Sequence, residues 1–243
     1  MKVLTLAKRN TREILRDPLN LAFGLGFPLV LILLLSAIQA NVPVELFEIG
    51  QLTPGISVFG LSFMTLFSAT LISKDRTSSL LQRLYTAPLT SADFILGYTL
   101  PIIPISLVQT VICYIAAVIL GLDITVNILY AILFIIPVSV LYIGLGLLCG
   151  SLLTDKQVGG VCGALLTNLS AWLSGVWFDL ELVGGAFKKI AYALPFVHAV
   201  ELERAALSGN FGDILPHLLW VVGYAIVILT LAVLMFLRQM KRQ

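Results

Sequence analysis

The sequence predicts an all-α polytopic membrane protein with six transmembrane helices, an N-terminal amphipathic interfacial helix and an external re-entrant helical segment before the last span. Three observations lead there. Of 243 residues, 59% are hydrophobic and 12% charged, where a soluble globular domain carries about 25% charged residues. The apolar residues come in blocks of about 20, the length that crosses a ~30 Å hydrocarbon layer at about 1.5 Å per residue. These blocks lack the alternation of barrel strands, and an open sheet edge has no partners in lipid, so the spans are helices.

Residues 1–18 open the chain as a separate element. Leu4, Ala7, Thr11, Ile14 and Leu15 fall near one helical face, Lys2, Lys8, Arg9, Arg12 and Arg16 lie mostly elsewhere, and Asp17-Pro18 stops the pattern. This predicts an amphipathic helix on the inner membrane surface; a plain basic retention anchor is the alternative. The apolar run behind it is too long for a signal peptide and has no convincing small-residue cleavage site, so it reads as a retained span. The six spans follow the apolar runs, at about 19–40, 54–73, 98–120, 128–153, 159–178 and 214–237.

Two connecting segments carry more than a loop needs. In 74–97, the stretch KDRTSSLLQRLYTAPLT places Leu80, Leu81, Leu84 and Tyr85 at helical spacing, with Thr77 and two serines to start a helix and Ala87-Pro88 to end it. A short helix with an apolar stripe and exposed Arg76, Gln82 and Arg83 is expected. The segment 179–213 is too long for a passive connector, and its apolar runs are too short to span. A broken or re-entrant helical pair around Pro195 fits it, with use as an external lid. On its second helix, His198, Glu201, Glu203 and Arg204 are expected on a wet interfacial face, with substrate gating as the sharper alternative.

Orientation follows from the basic residues. Five fall in 1–18, three in the segment after span two, one at Lys156 and three in the tail, twelve in all on one side. The other side holds three, Lys188, Lys189 and Arg204. The positive-inside rule then places both termini in the cytoplasm of a cell-membrane protein, and an even number of spans agrees. The net charge of +2 adds nothing to this.

Chemistry is conspicuous by what is missing. No G-x-x-x-x-G-K-[S/T] sequence occurs, nor any Gly-Lys pair, so no P-loop nucleotide site is present. The six spans are expected to carry no Asp, Glu, Lys, Arg or His, which disfavours coupling to an ion gradient. Gln109, Thr110, Thr167, Asn168 and Ser170 are polar span residues for helix packing or for lining a path. His198 and Glu201 make a single H-x-x-E pair, too few for a metal site, and no catalytic residue is assigned. Cys113, Cys149 and Cys162 lie in apolar runs and read as small buried side chains. Gly146-x-x-x-Gly150 and Gly159-x-x-x-Gly163 allow close helix approach, within one protomer more than between two. Trp172, Trp177 and Trp220 mark the external ends of spans five and six.

In order and spacing, these features resemble the membrane (permease) subunit of type-2 ABC exporters over nearly the whole chain. The resemblance rests on the basic helix ending Leu15-Arg16-Asp17-Pro18, six spans with both ends inside, the helix and A-P-L-T run after span two, and Phe94-Ile95-Leu96-Gly97. It rests also on Leu194-Pro195-Phe196-Val197-His198-Ala199-Val200-Glu201 leading to Arg204-Ala205-Ala206-Leu207-Ser208-Gly209. Two departures stand out: Gln82 replaces the acidic residue of the family's G-T-L-E-R run, and Tyr98 follows Gly97 where lysine is common.

The resemblance implies one transmembrane domain over 1–243, with 1–18 as the elbow helix, 74–97 as the cytoplasmic coupling-helix segment and 179–213 as the external re-entrant segment. It implies a dimer, with a second copy or a homologous permease, around a path for a hydrophobic or amphipathic substrate. Each copy rests on an ABC ATPase subunit that binds ATP and Mg, so this chain holds no cofactor and is not itself an enzyme. In that scheme Leu80, Leu84 and Tyr85 anchor in a groove of the ATPase. Arg76, Gln82, Arg83 and Pro88 shape the same contact, with the arginines at its rim. Arg9, Arg12 and Arg16 face lipid and the ATPase, and Pro195, His198, Glu201 and Arg204 form an external gate. Membrane lipid is the remaining partner, and nothing points to nucleic acid. An ATP-independent channel or ion-coupled carrier is the alternative reading, and a lipid-modifying enzyme or membrane scaffold a more distant one.

Overall fold

The chain is described here from a computed structural model that covers residues 2–42, 47–77 and 90–240. Among these residues every regular element is helical. The first helix, α1 (Lys2–Leu15), gives way at Asp17-Pro18 to α2 (Pro18–Gln39). Both residues of that pair act: Pro18 takes the first helical position, where its missing N–H costs nothing, and the Asp17 carboxylate accepts from Asn20 N (3.2 Å) and Asn20 Nδ2 (2.7 Å).

Next come α3 (Ile49–Thr77), α4 (Ser91–Thr99), α5 (Ile103–Ile119) and α6 (Asn127–Leu152). The start of α4 is a capping box, with Thr90 Oγ1 accepting from Asp93 N (3.2 Å) and Thr90 N donating to Asp93 Oδ2 (2.9 Å). The last residue of the A-P-L-T run is therefore a helix start. Beyond α6 lie α7 (Asp155–Val158), a π-helical stretch (Gly159–Leu166) and α8 (Thr167–Leu173), continuous with one another. The remainder is α9 (Leu180–Val183), α10 (Gly185–Ala193), α11 (Pro195–Ser208) and α12 (Phe211–Met240).

Among the described residues, five helical stretches are long and apolar enough to cross a membrane: Pro18–Gln39, Ile49–Arg76, Ala92–Ile119, Asn127–Leu152 and Phe211–Arg238. The third joins α4 to α5 across residues 100–102, where Pro101 interrupts the hydrogen-bond ladder. Where a further span is expected at 159–178, the helix begins earlier, at Asp155, and ends earlier, at Leu173. Thr154 starts it, its Oγ1 and N both within 3.0 Å of Gln157 Oε1. The π-helical stretch interrupts its regular pitch.

At the centre stands α3, 83% of whose most apolar stretch is buried, against 22% for those of α2 and α12. Its closest neighbour is α6. A Cβ on Gly146 would lie 1.8 Å from Ser68 Oγ and 2.3 Å from Thr65 O, and one on Gly150 would lie 2.6 Å from Ala69 O. With no side chains in the way, Thr65 Oγ1 reaches Tyr142 O (2.8 Å) and Ser68 Oγ reaches Ile143 O (3.2 Å). The first small-residue motif is thus a seam within the chain. In the second, Gly159 has nothing within 4 Å of a built Cβ and Gly163 makes only ordinary contact with Leu66.

Helix α3 runs to Thr77, and the short helix expected from Thr77 onward lies outside the described residues. Two sequence expectations are revised. On α1 the packed face is Leu6, Ala7, Asn10 and Ile14, while Leu4 and Leu15 are exposed; the docking face lies to one side of the apolar stripe. The wet face expected on α11 does not form as one face, since His198 and Glu203 are both buried. Glu203 follows Glu201 by two residues, about 200° around a helix, so the two cannot share a side.

Candidate functional site

One end of the bundle gathers α1, the last turn of α3 and α4 around a buried carboxylate. Asp75 is 2% exposed, and both Arg9 Nη1 and Arg9 Nη2 donate to it in a two-pronged ion pair. Tyr98 OH donates to Asp75 Oδ2 at 2.6 Å. One carboxylate therefore ties α1 and α4 to α3. Beside it, Pro101 has no N–H to offer the carbonyl four residues before it, that of Gly97. Asn10, fully buried on α1, supplies the missing donor through Nδ2 at 2.9 Å. Gly97 also has to be a glycine for α1 to sit there, since a Cβ would stand 2.4 Å from Leu6 Cδ2.

Arg76 turns away from this cluster. Its Nη1 donates to Gly150 O (2.9 Å) and Leu153 O (3.0 Å), carbonyls that the end of α6 leaves without helical donors. Leu80, Gln82, Arg83, Leu84, Tyr85 and Pro88 lie outside the described residues. The structure does fix both flanks of that stretch, through Asp75 on α3 and Gly97 and Tyr98 on α4. On α1, Arg12 and Arg16 are exposed and Arg9 is half-buried against Asp75; of these three arginines, only Arg9 faces the bundle.

The opposite end is organised by Arg204 and His198 on α11. Pro195 is buried at the first position of α11, and the turn from α10 falls at Leu194, as the expected break around Pro195 requires. Arg204 donates once within α11 and twice beyond it: Nη1 to Glu201 Oε1 (2.8 Å), Nη2 to Gly175 O in the turn after α8 (3.1 Å) and Nε to Gln51 O on α3 (3.4 Å). The Gly175 carbonyl is presented by a left-handed turn, φ +71°, which suits glycine. Arg204 and Glu201 wall a cavity of about 430 Å³ with Glu48, Trp177, Asp179 and Tyr192. Arg204 also borders a second cavity of about 360 Å³ toward Asp123 and Ser208.

His198 is locked on both ring nitrogens. Nε2 lies 3.0 Å from Tyr192 O on α10, and Nδ1 lies 2.9 Å from His217 Nδ1 on α12. Its ring stacks on Trp220 at 4.7 Å and 13°. Burial pushes the His198 imidazole below its ordinary value, with His217 adding to that and the Tyr192 carbonyl and Glu201 opposing it. Pro195, His198, Glu201 and Arg204 share α11 but divide between two surroundings, Glu201 and Arg204 on the cavities, Pro195 and His198 on the contacts with α10 and α12.

Several of these groups escape a sequence reading. His217 falls inside the sixth apolar run and corrects the expectation that the spans hold no histidine. Asp75 sits in a Lys-Asp-Arg triplet that looks solvated, and its burial depends on Arg9, 66 residues away. Pro101 is the legible clue to Asn10, since it strips the Gly97 carbonyl of its donor. Glu203 is the least expected: fully buried, with neither carboxylate oxygen hydrogen-bonded among the described residues. Burial raises its carboxyl well above the usual carboxylate range.

Among the described residues no group of three or more His, Cys, Asp or Glu converges to hold a metal ion. The family model described as ABC-2 type transporter matches residues 1–208 of the chain. No curated protein matches it.

Proposed function

The chain belongs to the ABC-2 type transporter family, and from that premise we propose that it is the permease subunit of an ATP-driven exporter, paired with a second permease and a separate ATPase. As a family member it is the multi-pass membrane component of a transporter and not itself the catalyst. ATP and Mg belong to the partner, since no P-loop sequence occurs in this chain. Both termini face the cytoplasm of the cell membrane, and 155–173 supplies the sixth crossing.

The observation that carries the reading is the Asp75 junction. Asp75 lies three residues before 78–89, and Gly97 and Tyr98 lie eight and nine residues after it, so α1, α3 and α4 are pinned together at both roots of that stretch. A force applied to 78–89 by a partner is delivered to three helices at once. In this scheme Leu80, Leu84 and Tyr85 are apolar anchors in an ATPase groove, flanked by Gln82, Arg83 and Pro88. Arg76 acts at the root of the stretch by holding the end of α6, a more internal role than a rim contact. Arg12 and Arg16 meet anionic headgroups. Pro195, His198, Glu201 and Arg204 form the external gate, and the cargo is hydrophobic or amphipathic.

Replacing Leu84 and Tyr85 together by aspartate tests the anchor. ATP-driven transport is expected to fall to background while the amount of protein inserted in the membrane stays at the parent level. Transport equal to the parent's removes these residues from the coupling contact.

A further inference from the structure

Proton counting at the histidine pair gives the far end of the bundle a property of its own. The Tyr192 carbonyl can only accept, so His198 Nε2 carries a hydrogen. The 2.9 Å line between the two Nδ1 atoms then has room for one proton, given by His217 to His198 or by His198 to His217. With both rings charged, each Nδ1 carries hydrogen and two donors face each other, a contact that cannot be kept. No third element has to move for the bond to break, because its two ends sit on α11 and α12.

We propose that His198 and His217 form a one-proton latch that holds α11 to α12 and opens when the pair takes up a second charge. This rests on the exporter reading for its consequence, namely that acid on the external side favours release of the gate; the latch itself is a property of the chain alone. Groups facing His198 are few. His217 comes from α12, with Tyr224 beyond Trp220 in the same stack; α10 presents Tyr192, with Lys188 paired to Glu181 and 5.8 Å over the Tyr192 ring. From α11 itself comes Glu201, committed to Arg204. Of the titratable groups, His217 and Glu201 are those whose charge acts on His198.

The sign is fixed by the direction of the shift. A closed pair that resists its second proton is favoured at pH above the ordinary histidine value of about 6.5 and loses that advantage as pH falls below it. Trp220, stacked on His198, reports the change. In a Trp172→Phe/Trp177→Phe background Trp220 remains the chain's single tryptophan, and its quenching by acrylamide is followed in the purified chain, without ATPase or cargo.

From about pH 8 to about pH 5, quenching in this background is expected to rise roughly twofold with a histidine-like midpoint. His217→Gln keeps a donor to His198 Nδ1 but takes no second charge, and is expected to stay low across the range. His217→Phe removes the bond and is expected to stay high. A flat profile in the background protein, or the same titration in His217→Gln, overturns the latch. Because no transport is measured, that failure leaves the exporter reading standing, and loss of ATP-driven transport would leave the latch standing.

Discussion

Replacing Asp75 by alanine is expected to destabilise the protein by roughly 3 kcal/mol and to cut transport beyond what the lost stability explains. The substitution leaves the Arg9 guanidinium and the Tyr98 hydroxyl facing a site from which their shared acceptor has gone. Removing one partner of a buried ion pair costs about 3–5 kcal/mol, and the low end applies because the Arg9 side chain is 35% exposed and regains some water. Thermal unfolding in detergent measures the first effect. The double substitution Arg9→Leu/Asp75→Leu removes both charges, and packed apolar groups there are expected to restore most of the stability. Transport is expected to stay low in the double variant, since the link among α1, α3 and α4 is still cut. Full recovery of transport together with stability would make the junction structural only.

The second large effect is expected at Gly146. In Gly146→Ala the new methyl has to stand 2.3 Å from a backbone oxygen, that of Thr65, and 1.8 Å from Ser68 Oγ. Ser68 can rotate aside, but the α3 backbone cannot, so the helices have to part until the 2.3 Å approach to Thr65 O is relieved. The Thr65–Tyr142 and Ser68–Ile143 hydrogen bonds go with that movement. Overpacking of this kind costs about 1–3 kcal/mol in soluble cores and more where backbone is hit; a loss of at least about 3 kcal/mol is expected, read as a fall in the unfolding temperature. Gly159→Ala is the matched control. It meets nothing within 4 Å and exchanges glycine for a better helix former, so it is expected to be neutral or stabilising by up to about 1 kcal/mol. A Gly146→Ala protein as stable as the Gly159→Ala protein would show that the α3–α6 seam is looser than described.

Much of the fold is legible in the sequence because lipid imposes a length and a composition on each span. The Asp17-Pro18 boundary, the break before Pro195 and the glycine seam of α6 all follow from local rules about capping, proline and close approach. The site is less legible, and the reason is distance along the chain. Arg9 looks like one more basic residue on an interfacial helix until Asp75 is brought beside it, and His198 and Glu201 look like one polar face until their partners, His217 and Arg204, pull in different directions. Glu203 has no sequence signal at all: a carboxylate two residues from another on an interfacial helix is ordinarily wet, and only the packing of α11 into the bundle buries it.

The central claim, that this chain moves its cargo with a partner's ATP, is tested most directly in proteoliposomes loaded with a fluorescent amphipathic dye. The purified chain is reconstituted alone, with the ABC ATPase proposed as its partner, and with that ATPase plus ATP and Mg. The account predicts dye movement only in the third preparation. Equal movement by the chain alone, with neither ATPase nor nucleotide, would contradict it and point to a channel or carrier.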